Sequence, residues 1–191
     1  MRSAVTPDGT PPRRPALVVV SGPPGAGKTT LAHALADALG WPLVCRDEIK
    51  ERMAAAGAAP ADDLDLRTFE TFFRSIGELV RSGTNLVAEA AFQDKLWRPG
   101  LTPLVPLADV RVVRCTVDPE IAHTRIARRA AEEPSRAVHA DSELLRRIAE
   151  GQRPIASWVP IALDVPCLVV DTSRGWTPPP ARIVEFATHG T

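Results

Sequence analysis

Apolar residues along this chain come in short continuous runs, and between the runs they recur every three or four positions. Runs at 16–20, 43–45, 85–90, 110–117 and 167–170 read as buried strands. After the first, Leu31, Ala34, Leu35, Ala38 and Leu39 keep helical spacing, and Gly40 supplies a C-cap. A second helix is expected from near Asp47, carrying Ile49, Arg52 and Met53, with alanine-rich 54–61 as its end and a loop. Over about 64–82 the spacing predicts a helix with Leu66, Phe69, Phe73, Ile76 and Val80 on one face, closed by Gly83. Three prolines break 99–107, so only a short helix fits within or before it. Asp118 and Pro119 open a helix that carries Arg125, Arg128 and Arg129. The pattern is interrupted at 132–140; a helix over 141–150, a short helix or loop over 154–163 and a last helix over 180–188 complete the chain.

Strands that alternate with helices predict an α/β fold, a parallel sheet covered on both faces, with ligands at the carboxyl ends of the strands. Polar residues gather at those ends. Asp47 follows the second strand, Glu89 closes the third, and Asp171 and Thr172 follow the fifth.

The turn between the first strand and first helix, GPPGAGKT at 22–29, fits G-x-x-x-x-G-K-[ST]. Gly22, Gly25 and Gly27 let the backbone of this turn, Ala26 included, bring bare N–H groups against phosphate oxygens. The turn empties into a helix N-terminus, whose unpaired donors and dipole favour negative charge. Lys28 is placed to reach the β- and γ-phosphates of a nucleotide, Thr29 to ligate Mg²⁺, and Thr30 adds a hydroxyl. The chain has three lysines against twenty arginines, so a lysine inside this turn stands out from background.

The other strand ends suggest an acceptor side. Asp47 is placed to orient a hydroxyl and take its proton, or else to cap the helix that follows. Arg52, further along, is a candidate to hold the acceptor, and Phe92 and Gln93 to line its pocket. Glu89 is open to three roles: Mg²⁺ through water, the acceptor, or a salt bridge. Arg125, Arg128 and Arg129, with Arg136 in the break beyond, are candidates to close over transferring phosphate, or else form a solvated face with Glu132 and Glu133. His33, His123, His139 and His189 have no mutual spacing that makes a metal site.

Composition narrows the classes. At 191 residues the chain suits one domain over 15–191, with 1–14 expected as a mobile tail lacking a hydrophobic signal region. A formal net charge of zero gives no support for a general nucleic-acid or membrane surface. No apolar run approaches the length of a membrane span. Cys45, Cys115 and Cys167 are far apart and set in apolar runs, which reads as core cysteines of a reduced, cytoplasmic protein.

The segments GPPGAGKT, CRDEIKERM, NLVAEAAF and CTVDPEIAHTRIARR together resemble the small P-loop kinases of the zeta-toxin, chloramphenicol phosphotransferase and polynucleotide-kinase-like group. The likeness covers about 15–175. It implies a P-loop NTPase fold of the kinase type, with a five-stranded parallel sheet of order 2-3-1-4-5, ATP with Mg²⁺ as cofactors, Asp47 as acceptor-side base and an arginine-bearing lid around 125–140. Arg125 and Thr172 are expected at the nucleotide, Arg125 and Arg129 with Lys28 in catalysis, and Arg136 at the acceptor. The expected activity is transfer of the γ-phosphate to a hydroxyl of a small molecule. A polynucleotide 5′-hydroxyl kinase and a regulatory ATPase without an acceptor are the alternatives.

Overall fold

The computed structural model describes residues 13–57, 63–132, 146 and 158–190. Five strands, β1 (Ala16–Ser21), β2 (Leu43–Cys45), β3 (Leu86–Glu89), β4 (Asp109–Thr116) and β5 (Cys167–Asp171), form one sheet of order β2-β3-β1-β4-β5. Every neighbouring pair is parallel, as the alternation of strand and helix requires. β1 lies at the centre and is buried at all six positions, which is why its sequence is uniformly apolar up to Ser21.

The helices divide between the faces. Helices α1 (Lys28–Leu39) and α6 (Pro180–His189) share a core with Val18, Val20, Val87, Val113 and Val170. On the other face α3 (Leu64–Arg81) and α4 (Asp94–Leu101) cover Leu17, Val19, Leu86, Ala88, Val110 and Val112. Between them run α2 (Arg46–Ala55), directly after β2, and α5 (Pro119–Glu132) after β4. No described helix is long and apolar enough to cross a membrane.

Register sets the site before any side chain is considered. Cys45 pairs with Glu89, and Glu89 pairs with Val20, so three strand ends meet in one row beneath the glycine-rich turn. On the far side Thr116 pairs with Asp171, which brings Thr172 to the same edge.

Two expected faces turn out rotated. On α3 the buried stripe is Leu64, Thr68, Phe72, Ile76 and Val80, spaced by four, whereas Leu66 is 61% exposed. Two residues from Leu64 is about 200° around a helix, which places Leu66 opposite the stripe. Phe69 and Phe73 flank it, half-buried, and form one aromatic cluster with Phe72 and Trp97 in which contacting ring centroids lie 4.9 to 5.8 Å apart. On α1 the buried residues are Leu31, Ala32, Leu35 and Ala36, while Ala38 is exposed. Cys167 is also exposed rather than core, because it stands on the edge strand β5, where alternate positions face outward. The helix expected over 141–150 lies outside the described residues, apart from the helical Arg146.

Replacing the fully buried Phe72 with Ala should lower unfolding free energy by about 3 to 5 kcal/mol. Leu66→Ala should change it by less than about 0.5 kcal/mol. Urea unfolding of the two variants checks the phase of α3; the reverse ranking would contradict it.

Candidate active site

The glycine-rich turn is built against its surroundings. Gly25 has φ 76°, and a Cβ there would stand 2.7 Å from the Ala122 carbonyl oxygen of α5. Gly27 has φ 64° and is the N-cap of α1, with no side chain capping that helix. The N–H groups of the first turn of α1 are therefore left to a ligand. Lys28 Nζ donates to the Pro23 carbonyl at 3.0 Å, folding back over the turn.

The turn is gripped from behind. Arg125 Nη1 donates to the Gly25 carbonyl at 3.2 Å and to Thr172 Oγ1 at 3.2 Å, and Arg125 Nη2 to the Thr172 carbonyl at 2.7 Å. Thr172 Oγ1 lies 3.0 Å from the Ala26 carbonyl and 3.1 Å from that of Thr116. With the Ala26 carbonyl drawn outward, the Gly27 N–H across the same planar peptide faces the opposite way, into the cradle. A phosphate chain fits this set of donors.

Next to the cradle, Thr29 Oγ1 donates to Glu89 Oε2 at 3.3 Å, and Cys45 Sγ donates to the same oxygen at 3.0 Å. Burial, with the nearby Glu89 charge, pushes the Cys45 thiol above its usual range, so it serves as the donor. Burial likewise raises the Glu89 carboxyl, aided by Asp47 and opposed by Lys28 and by hydrogen bonds from Cys45 and Thr29. Among the described residues no group of three or more His, Cys, Asp or Glu could hold a metal. A hydroxyl and one carboxylate nonetheless suit Mg²⁺, which keeps several waters and takes phosphate oxygens.

Asp47 lies in the first turn of α2, whose N-cap is Cys45, so the capping alternative for Asp47 is not the one realised. Its carboxylate is near enough to Glu89 to act on it electrostatically, and Arg46 Nη1 is 3.3 Å from Asp47 Oδ1. Arg46 and Lys50 both reach Asp65 of α3, at 2.5 and 2.8 Å. Burial raises the Asp65 carboxyl, but hydrogen bonding and charge from Lys50 and Arg46 outweigh it and hold it below the usual range.

Several expected residues stand elsewhere. Arg52 is about 140° around α2 from Asp47; its Nε donates to the Glu48 carbonyl, and it lines an apolar groove of about 430 Å³ between β2, α2 and α3. Phe92 does not line an open pocket: it is fully buried against Phe72 and Trp97, with a left-handed φ of 44°. Residues 125–132 of the expected lid belong to α5, which is anchored by buried Ala122 and Ile126, and Arg129 is half-buried there. Thr30 is exposed on α1. Arg136 and His139 lie outside the described residues. Sequence reasoning passed over Cys45, Arg46, Lys50 and Asp65. Spacing of i, i+1 and i+4 at Arg46, Asp47 and Lys50 was a usable signal for one helix side; nothing local marks Asp65.

With this geometry in view, the comparisons are decisive. Residues 17–154 match the AAA domain family. The chain belongs to that family, among its small P-loop kinases. It is 34% identical over 137 residues to a cytidylate kinase of Pyrobaculum arsenaticum, covering 69% of this chain and 71% of that one. A candidate kinase from Chloroflexus aurantiacus superposes with TM-score 0.78 at 26% identity, covering 94% and 100% of the two chains. A gluconokinase from Sinorhizobium meliloti shares the fold, with TM-score 0.52 at 23% identity over 93% and 92%. The protein is thus a P-loop kinase in fold and family, and proteins of this kind use ATP and Mg²⁺ in general.

Because the Glu89 carboxyl is raised in the folded chain, its burial is fully tolerated below the ordinary carboxyl pKa and costs stability as pH rises through the raised value. Glu89→Gln should therefore stabilise the apoprotein at pH 7 by about 1 to 2 kcal/mol. The gain should shrink as pH falls toward 4, a trend that thermal melts across pH will read.

Proposed function

We propose that the protein is an ATP-dependent phosphotransferase that moves the γ-phosphate to a hydroxyl of a small-molecule acceptor. The observation that carries this reading is the Asp47 carboxylate in the first turn of α2, just beyond β2 and near enough to act electrostatically on Glu89, which itself accepts from the Thr29 hydroxyl beside the phosphate cradle. ATP supplies the phosphoryl group, and Mg²⁺ offsets its charge when both are bound.

The chain's own residues do the rest. The amides of Gly27, Lys28 and Thr29 fix the phosphate chain, and Lys28 leaves the Pro23 carbonyl to meet the β- and γ-oxygens. The Thr29 hydroxyl and the Glu89 carboxylate beside it would hold Mg²⁺, which would offset the phosphate charge there. Asp47 orients the acceptor hydroxyl and receives its proton. Arg125 and Thr172 act from behind, keeping the turn in its phosphate-ready shape. Arg129, one turn further along α5, is the cation assigned to the charge that develops in transfer.

A second reading, transfer to the phosphate of a nucleoside monophosphate, draws support from the 34% identity to a cytidylate kinase. A carboxylate at position 47 favours the hydroxyl instead, since it repels a phosphate dianion and has a proton to take only from an alcohol.

The test is a panel of hydroxyl acceptors, with CMP as a further arm, incubated with ATP and Mg²⁺ and read by mass spectrometry for an added phosphate. Lys28→Ala should abolish transfer. Asp47→Asn should lower the rate by about 10²- to 10⁴-fold with ATP affinity preserved. Phosphorylation of CMP alone supports the second reading, and full activity of Asp47→Asn removes Asp47 as base.

A further inference from the structure

The mechanism above leaves one buried side chain beside the cradle without a role. Cys45 is 2% exposed, and so is Glu89. The two are partners in register on the neighbouring parallel strands β2 and β3, so their side chains leave the sheet on one face. Cys45 Sγ donates to Glu89 Oε2 at 3.0 Å, and Thr29 Oγ1 donates to the same oxygen at 3.3 Å. The direction of a carboxylate covered this deeply is set by the donors that reach it. The Thr29 hydroxyl is the one assigned to Mg²⁺, which leaves the thiol as the donor with no other duty. Its place is fixed twice over, because Cys45 closes β2 and is the N-cap of α2. Asp47 follows in the first turn of that helix, so one strand end locates a donor to Glu89 and the carboxylate assigned to the acceptor hydroxyl together.

We propose that Cys45 is a positioning residue: its thiol holds the Glu89 carboxylate beside Thr29 and thereby sets how strongly the site takes Mg²⁺. The proposal rests on the assignment of Thr29 and Glu89 to Mg²⁺ in the phosphotransferase reading. Cys45 acts through Glu89 and has no contact of its own with nucleotide or cation in this account. A glutamate side chain has several rotatable bonds, and a carboxylate already held in place loses less freedom when a cation arrives than one that must be ordered then. A thiol suits the task because it is a weak, neutral donor. It directs one carboxylate oxygen without bringing a fixed positive charge, which at that distance would compete with Mg²⁺ for the same oxygen.

The experiment is calorimetric titration of the non-hydrolysable ATP analogue AMP-PNP into the protein, once with excess Mg²⁺ and once with EDTA. The ratio of the two affinities measures how far cation and nucleotide support one another at the site, and in the unmodified protein it should be about ten or more. Cys45→Val, which keeps most of the bulk and removes the donor, should cut that ratio by about three- to ten-fold, the effect of one hydrogen bond. The affinity in EDTA should stay within about two-fold of the unmodified value, and Cys45→Ser, still a donor, should keep the ratio within about two-fold. On a Glu89→Ala background Cys45→Val should have no further effect on the ratio, because the group it acts through is gone. A ratio unchanged in Cys45→Val, a ratio lowered as much on the Glu89→Ala background, or equal weakening with and without Mg²⁺ overturns the proposal; the last is what a packing role alone would give. Cys45→Ala carries the same prediction where valine disturbs the strand end. Failure of Mg²⁺ to tighten AMP-PNP in the unmodified protein contradicts the metal assignment beneath the proposal, and that result is separate from any effect of Cys45.

Discussion

The grip of Arg125 and Thr172 on the carbonyls of Gly25 and Ala26 is the constraint on which the rest of this structure depends. A glycine-rich turn has many conformations open to it, and only those with the amides turned inward hold phosphate. Here the choice is made by residues 100 and 146 positions away in sequence. Their convergence requires β4 and β5 to follow β1 in order, so that α5 springs from one strand end and Thr172 from the next. Strand order, often treated as architecture alone, is in this chain what orients a backbone N–H.

The two halves of the site are made from different materials. On the donor side the backbone does most of the holding, and the strand row Cys45, Glu89, Val20 sets a buried carboxylate against the Thr29 hydroxyl. Burying that carboxylate opposes stability at neutral pH, which is a reason to read it as serving a ligand rather than the fold. On the side proposed for the acceptor the groups are charged side chains of α2 and α3, close together and near balance: Arg46 and Lys50 against Asp47 and Asp65.

Much of this was legible in the sequence because it is local. The apolar runs mark all five strands, and GPPGAGKT announces its own turn and helix. Asp47 and Glu89 could be placed at strand ends because Glu89 follows an apolar run directly and Asp47 stands two residues beyond one. What could not be read depends on contacts between distant segments. Thr172 could be placed at a strand end, but not the bracing of the turn by its hydroxyl. Phe92 follows a strand end as a pocket residue would, but Phe72 and Trp97 supply an aromatic core that draws it inward. The α3 face was misphased because Phe69, Phe72 and Phe73 offer two overlapping apolar stripes, and only the sheet decides between them. Arg52 and Lys50 are equally basic in sequence; helix phase separates the one facing a groove from the one facing Asp65.

The central claim, that side chains behind the turn hold its amides ready for phosphate, is tested most directly by the affinity of Mg²⁺ with AMP-PNP for the Thr172→Val variant, measured by calorimetry beside the unmodified protein. Valine keeps the shape of the side chain and removes the hydroxyl with its three contacts, to the Ala26 and Thr116 carbonyls and to Arg125. The account predicts affinity at least about ten-fold weaker, the effect of one to two hydrogen bonds acting through the turn, in a protein that still melts cooperatively. An unchanged affinity in that folded variant would contradict it.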